Sequence, residues 1–525
     1  MDPKLLDYYN SELHYIREMG ADFAKRYPKI AGRLGLDGFK CDDPYVERLL
    51  EGFSFLAARI QYKLDAEFPT FTQHLLEMVY PHYLAPTPAM AVVQFQPDLT
   101  EGALAEGFTI PRQSALRSQL GKGEQTPCEF RTSHEVTLWP LEVTEAEYII
   151  NSSALPRIND PHLPTAKAGF RIRLRTTAGL TFDALSLEQL PVYIRGSDEF
   201  PMHVYEQMLG NSIAMVAQST SDSKPWQQVI DRSHIRRVGF NEQEAMLPYG
   251  AQSFSGYRLL HEYFAFPNGY LFVNLMGLGQ AARRCTDNEL DIFILLDRIN
   301  PLLEHKVDAA AFALFCSTAI NLFPKRADRI HLNTKENEYH VVPDLTRPMD
   351  FEIYEVAGAV GHGTGENRRR VFLPFYSSDE TSVRTEHSSY YTVRREARVL
   401  STRQQRYGPR SNYVGSEVFV SLVDASEAPY STDLRQLAVS TLCTNRDLPL
   451  HMPVGVGKTD FTLGSGAPVD SIRCIVGPSE PKPSYAEGDT AWRLISHLSL
   501  NYLSIVDSDE HKGAAALREL LTLYG

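Results

Sequence analysis

The residues that most invite a chemical reading are Gly455-Val-Gly-Lys-Thr459, which look like the end of a phosphate-binding loop. Such a loop wraps phosphate oxygens with backbone N–H groups and needs a glycine five positions before the Gly-Lys pair. Met452 stands there, and two prolines interrupt the preceding Leu448-Pro-Leu-His-Met-Pro, so it is no buried parallel strand. A plain loop is the better reading. Gly361-His-Gly-Thr-Gly365 resembles a glycine-rich oxyanion loop, but the chain has no G-x-S-x-G elbow to supply a nucleophile. There is no H-E-x-x-H, and the sixteen histidines do not pair at zinc-ligand spacing on one helix. Asp344 and Asp350 flank a Thr-Arg-Pro turn, where capping explains them without acid–base work. No catalytic set, metal site or cofactor site is expected.

The informative residues are therefore those that build surfaces. Asp43 and Pro44 are a strong helix start: a carboxylate for the free first-turn N–H groups, then a proline that needs no partner for its missing one. Val46, Leu49, Leu50, Phe53, Leu56, Ala57, Ile60 and Leu64 recur at helical spacing and predict one inward stripe. Pro69 is expected to open a second helix after a Phe-Pro corner, with Phe71, Leu75, Leu76 and Val79 inward, and Pro81, Pro86 and Pro88 forbid its continuation. Upstream, Leu5, Tyr9, Leu13, Ile16, Gly20, Phe23 and Tyr27 alternate in steps of four and three, the seam of a helix that packs on other helices. On periodicity alone, a small helical core is the plainer account. Tyr8, Phe55 and Tyr62 lie off these stripes and mark a second apolar face, the expected partner surface.

A chain of 525 residues exceeds one core and implies several domains. The net charge of −13 argues against general nucleic-acid binding. Cys41, Cys128, Cys285, Cys316, Cys443 and Cys474 are scattered with no C-x-x-C pair, which suits buried thiols in a reducing compartment. No signal peptide is visible at Met1-Asp-Pro-Lys, and the apolar run Ala309–Cys316 is far short of the ~20 residues of a spanning helix. A cytoplasmic location is expected.

The fold class predicted is α+β and multi-domain: a helical module over 1–88, β-rich structure over 89–345, a basic loop-rich insertion over 346–414, and a mixed β/helical region over 415–525. Phe170-Arg-Ile-Arg-Leu-Arg is the clearest strand, with Phe170, Ile172 and Leu174 on one face and Arg171, Arg173 and Arg175 on the other. That arginine stripe is read as a solvated outer face, with an anion-binding surface as the alternative. Glu289 to Asp297 is apolar on both faces and hence central, and Ser255 to Phe264 reads as a short helix. Asp433 to Cys443 is also expected to be helical, as are Trp492–Leu503 and Ala514–Leu523. Between Gly358 and Arg410 arginines outnumber acids, so Arg368, Arg369, Arg370, Arg394 and Arg395 are candidate contacts for an acidic partner. Gly358, Gly361, Gly363 and Gly365 are read there as a flexible loop.

"DPYVERLLEGFSFLAARIQYKLDAEFP" followed by "LLEMVYPHYLAPTP" resembles the TssF (ImpG/VasA) family of type VI secretion baseplate subunits. The resemblance extends through "SGYRLLHEYFAFP", "INLFPKRADRIHL", "EYHVVPD", "GSEVFVSLVD", "NRDLP" and "WRLISHLSLNYLS", in family order. It implies a fold like a phage baseplate wedge protein, with two TssF copies and one TssG in each wedge. It further implies TssK and TssE as partners, a VgrG hub, a TssB–TssC sheath, and docking on the TssJ–TssL–TssM membrane complex. Members carry a further mixed α/β region after the equivalent of Leu517–Gly525, so a self-association domain is expected beyond it. The competing reading is a cell-wall- or polysaccharide-active β-domain enzyme of a phage-like baseplate. A paired-carboxylate cleft would distinguish it, and no spacing in the sequence demands one.

Overall fold

The computed structural model describes residues 3–484 except 35, 38–39, 42, 99–101, 159–162, 221–224, 249–254, 334, 364–368, 376–388, 400–409, 425–429, 431–432 and 465, together with 518. The chain divides into two compact units, Met1–Leu84 with Tyr485–Leu523, and Ala85–Ser484 with Tyr524–Gly525. In the first, α1 (Pro3–Arg26) packs on α2 (Pro44–Val79). Asp43 caps α2, its carboxylate accepting from the Tyr45 N–H at 2.9 Å. The helix does not restart at Pro69, as the sequence suggested, but runs through it as one 36-residue element. A restart would place Phe68 at the cap position, where it offers no acceptor for the orphan N–H groups, unlike Asp43. Losing one internal bond at a proline costs about 3 kcal/mol. An uncapped break loses more than one.

The second unit is β-rich. Cys316–Ile320, Met90–Pro97, Val469–Val476, Phe461–Leu463, Ala115–Ser118 and Glu129–Thr132 close a six-stranded barrel. A five-stranded sheet runs Gln227–Asp231, Ser212–Ser219, Glu289–Leu296, Ala168–Thr176, Leu141–Ile149, and a four-stranded one runs Ile235–Arg237, Phe272–Met276, Gln189–Ile194, Phe312–Leu314. One core joins them, with Phe95 and Phe130 from the barrel, Phe170, Ile172 and Ile292 from the larger sheet, and Val192 and Val273 from the smaller. Glu289–Leu296 is central, as its two-sided apolarity predicted: Leu290, Ile292 and Ile294 enter the main core, and Phe293 and Leu295 pack with Ile213 and Val216 opposite.

An eight-stranded sheet carries a separate core of Val418, Val420, Leu422, Leu437, Val439, Tyr391 and Phe372. Its strands show where the sequence reading of the region after residue 346 was wrong. Glu352–Gly363, Arg369–Pro374 and Ser389–Ala397 are members of this sheet, not an inserted loop, and Gly358, Gly361 and Gly363 lie within its longest strand. Leu434–Thr444 is a strand as well, paired along Glu352–Gly363. Leu434, Leu437, Ala438, Thr441 and Leu442 fit a helical period by coincidence. Leu437, Val439, Thr441 and Cys443, alternating and buried, carry the period that packing selected. The C-terminal stretches Trp492–Leu503 and Ala514–Leu523, expected to be helical, lie almost wholly outside the described residues.

Candidate partner-binding surface

The two helices run antiparallel. Tyr9 meets Phe55 edge-on at 6.4 Å, and eight residues further along α1 the Arg17 guanidinium pairs with Glu47, eight residues earlier in α2, at 3.2 Å. On α2 the small residues Ser54 and Ala58 are fully buried, and the Ser54 hydroxyl donates to the Leu50 carbonyl at 2.8 Å. The predicted stripe of α2 is divided: Val46, Leu50 and Ala57 are half-buried, and the rest of its described side chains face outward. Leu49 is 73% exposed, Phe53 62% and Ile60 63%, and Tyr45 and Leu56 are exposed as well. The residue thought to lie on a second face, Phe55, is half-buried against α1 instead. Periodicity reveals that an apolar stripe exists, not which side chains of the helix are covered.

α1 follows its prediction more closely. Leu5, Tyr9, Leu13, Ile16 and Gly20 are half-buried along its seam, and Tyr8 is half-buried beside it. Tyr15, Met19, Phe23 and Tyr27, four residues apart, are exposed, although Phe23 and Tyr27 were expected to continue the seam. The side chain of Tyr62 lies outside the described residues. Each helix thus presents an outward apolar ridge at close to the spacing another helix would require.

The basic segment has a different fate. Arg370 pairs with Asp424 and bonds Ser389. Arg394 donates to both Glu338 oxygens at 3.0 and 3.2 Å, and the hydrogen bonds to Glu338 raise its pKa. Arg395 donates to the carbonyls of Ile353 and Tyr354 at 2.7 and 2.9 Å. Arg398 pairs with Glu417 at 3.3 Å, and Arg410 reaches Asp447 at 2.6 Å, Asp350 at 3.0 Å and Glu124 at 3.4 Å. These guanidinium groups, those of Arg370, Arg394 and Arg395 among them, fasten strands and turns of the same chain. Arg369 is exposed, and Arg368 lies outside the described residues. Burial pushes the Asp447 carboxyl up, but hydrogen bonds from Arg410 and Ser411 outweigh it and hold Asp447 below the usual carboxylate range.

The same pairing settles the arginine stripe. Arg171 meets Glu145 at 2.9 Å, Arg173 meets Asp291 at 2.7 Å, and Arg175 meets Glu289 at 2.7 Å, all across neighbouring strands. The outer face is neutralised in place. The Gly455–Thr459 stretch is a turn before the strand Phe461–Leu463: the Gly455 N–H donates to buried Asp460 at 2.7 Å, and Lys458 pairs with Asp470 on the surface. Asp344 accepts from the Thr346 and Arg347 N–H groups at 3.0 and 3.2 Å, the turn-capping role its sequence setting implied. Asn445-Arg446-Asp447, quoted from the sequence only within "NRDLP" and given no structural role there, has side chains almost wholly buried, with Asn445 accepting from the Glu129 N–H of the barrel at 2.9 Å. Three consecutive polar residues ending a strand of alternating apolar ones were the available signal.

Among the described residues no three His, Cys, Asp or Glu side chains gather to hold a metal, and no helix is long and apolar enough to cross a membrane. A chain with ample internal fastening and two outward apolar helical ridges is of the class of assembly subunits. Over residues 1–525 it matches the family described as "Type VI secretion system, TssF", and it belongs to that family. It is 55% identical over 525 residues to the "Type VI secretion system component TssF1" of Pseudomonas aeruginosa, covering all of this chain and 84% of that protein. It is similar, at TM-score 0.67 and 25% identity, to a chain of the type VI secretion TssK-TssF-TssG baseplate subcomplex solved by cryo-electron microscopy, over 91% of this chain and 81% of that one. A chain of a type VI secretion baseplate complex matches at TM-score 0.55 and 25% identity, over 99% of this chain and 83% of the other.

Proposed function

We propose that this chain is a structural subunit of the type VI secretion baseplate and acts by geometry, without catalytic turnover. In this reading it assembles with TssG and TssK, the proteins named beside TssF in the solved subcomplex. Two copies join one TssG in each wedge, TssE is added, and wedges close around the VgrG hub to start the tail tube and the TssB–TssC sheath. The assembly is cytoplasmic and docks on the TssJ–TssL–TssM complex. The observation that carries the proposal is the outward ridge Tyr45, Leu49, Phe53, Leu56 and Ile60 of α2. Burying each such side chain is worth ~1.5–3 kcal/mol. Five together exceed the lower part of the ~4–15 kcal/mol that association costs. A TssG helix is the occupant proposed for the ridge.

Co-expression with TssG tests this. Leu49→Gln with Phe53→Gln should abolish co-purification of TssG while the Tm of the isolated chain stays within a few degrees of wild type. Full recovery of TssG by the double variant would overturn the assignment of the ridge.

A further inference from the structure

The β-rich unit holds a cleft of about 700 Å³ whose walls carry Glu135, Glu188 and Glu244 against one guanidinium, that of Arg112. Glu135 lies in the turn between the barrel strand Glu129–Thr132 and the short strand Val136–Leu138, and it is exposed. Glu244 ends the turn Glu242–Glu244, where its Oε2 accepts from the Gly239 and Asn241 N–H groups at 2.8 and 3.3 Å. Arg112 is already engaged, donating to the Ala245 carbonyl at 2.7 Å. At the rim Glu188 lies 3.7 Å from Arg283, a loose pair well exposed to water and therefore screened.

His134 adds a buried polar atom to this cleft. The residue is 7% exposed. Its backbone N–H donates to the Ser317 hydroxyl at 3.1 Å, and its ring stands edge-on to Phe272 at 5.0 Å. Burial lowers its pKa to about 4, so near pH 7 the ring is neutral and one of its nitrogens is an acceptor. Nε2 lies 3.3 Å from the Thr318 hydroxyl. With the proton on Nε2, shared with Thr318, the acceptor is Nδ1, which has no hydrogen-bond partner among the described residues.

Ionised carboxylates accept and do not donate, and Nδ1 of that tautomer does the same, so the cleft is rich in acceptors and poor in donors. A guanidinium is the complement, with five N–H donors, no acceptor and the opposite charge. Trp139, Pro191 and Val238 line the same cleft and suit the apolar stem of an arginine. The chain's net charge of −13 draws a basic partner towards it.

We propose that this cleft is a further docking site, which takes an arginine side chain from an extended segment of a partner protein. Glu135, Glu244 and His134 Nδ1 accept from its guanidinium. The site belongs wholly to the β-rich unit and does not depend on the assignment of the α2 ridge.

Ligand-observed NMR titration of the full chain with the peptide acetyl-Gly-Gly-Arg-Gly-Gly-amide tests the site. The control is the same peptide carrying citrulline, which keeps the shape of the side chain and loses its charge. The arginine peptide should bind about tenfold more tightly than the citrulline peptide, the difference expected of charge-assisted hydrogen bonds. Added salt should narrow that gap. His134→Phe removes the ring acceptor and should weaken the arginine peptide. Glu135→Gln, at an exposed position, serves if that buried change prevents folding: it should keep the wild-type Tm and weaken the arginine peptide about fivefold. Absence of binding, equal affinity for the two peptides, or an arginine peptide held as tightly by Glu135→Gln as by wild type would overturn the proposal.

Discussion

The β-rich unit buries its largest phenylalanines, whereas the helical pair sets large apolar side chains in a row on its outside. Phe95, Phe130, Phe170, Phe182 and Phe461 are at most 1% exposed, whereas Tyr45, Leu49 and Phe53 stand mostly in solvent. The contrast extends to charge. Arginines of the β-rich unit such as Arg173, Arg370 and Arg410 meet carboxylates across strands and turns, so that little of their field is left for a partner. The difference is one of pattern: on the α2 helix Tyr45, Leu49, Phe53, Leu56 and Ile60 follow one another along one ridge, and that ridge is the partner surface proposed above.

Four changes break or sharpen this contrast. Phe170→Ala empties a site in the main core and should cost ~3–5 kcal/mol in denaturant unfolding. A saturating partner should not restore that loss. Arg410→Ala leaves buried Asp447 without its main counter-charge and should cost about 3 kcal/mol, measured in the same way. Leu49→Ala, by contrast, should change stability by under ~1 kcal/mol, because a side chain largely in water has little burial to lose. At the other end, Lys458→Ala should move stability by less than ~0.5 kcal/mol, as surface changes do, and should leave any nucleotide affinity at the wild-type level. A large loss for Leu49→Ala beside a small one for Phe170→Ala would invert the comparison.

Acid should act on the β-rich unit through the same fastenings. Asp447 has a folded pKa below its unfolded value of ~3.9. Its contribution is therefore complete above that unfolded value and is lost as pH falls through the folded one. Melting followed from pH 6 down to pH 2 should show Asp447→Asn already destabilised at the top of the range and losing less than wild type at the bottom. Parallel curves would remove Asp447 from the acid response.

How much of this was legible depends on whether a signal was local. The cap at Asp43, the alternation of Phe170-Arg-Ile-Arg-Leu-Arg and the helix Ser255–Ala265 are written in neighbouring residues, and the structure has all three. The strand Leu434–Thr444 was not legible, because its apolar residues satisfy two periods and only the partner Glu352–Gly363 decides between them. Nor was the orientation of α2, whose contacts with α1 run through Phe55 and Glu47 while Leu49 and Phe53 face outward. The arginines read as a surface because charge along the chain says nothing of carboxylates brought beside them, such as Asp424 opposite Arg370 from 54 residues away.

Hydroxyl-radical footprinting of Tyr45 and Phe53, in the isolated chain and in complex with TssG, tests the central claim most directly. The account predicts that both rings are oxidised readily in the isolated chain and strongly protected in the complex, while Phe55 reacts weakly in both. Equal oxidation of Tyr45 and Phe53 in the two samples would contradict it.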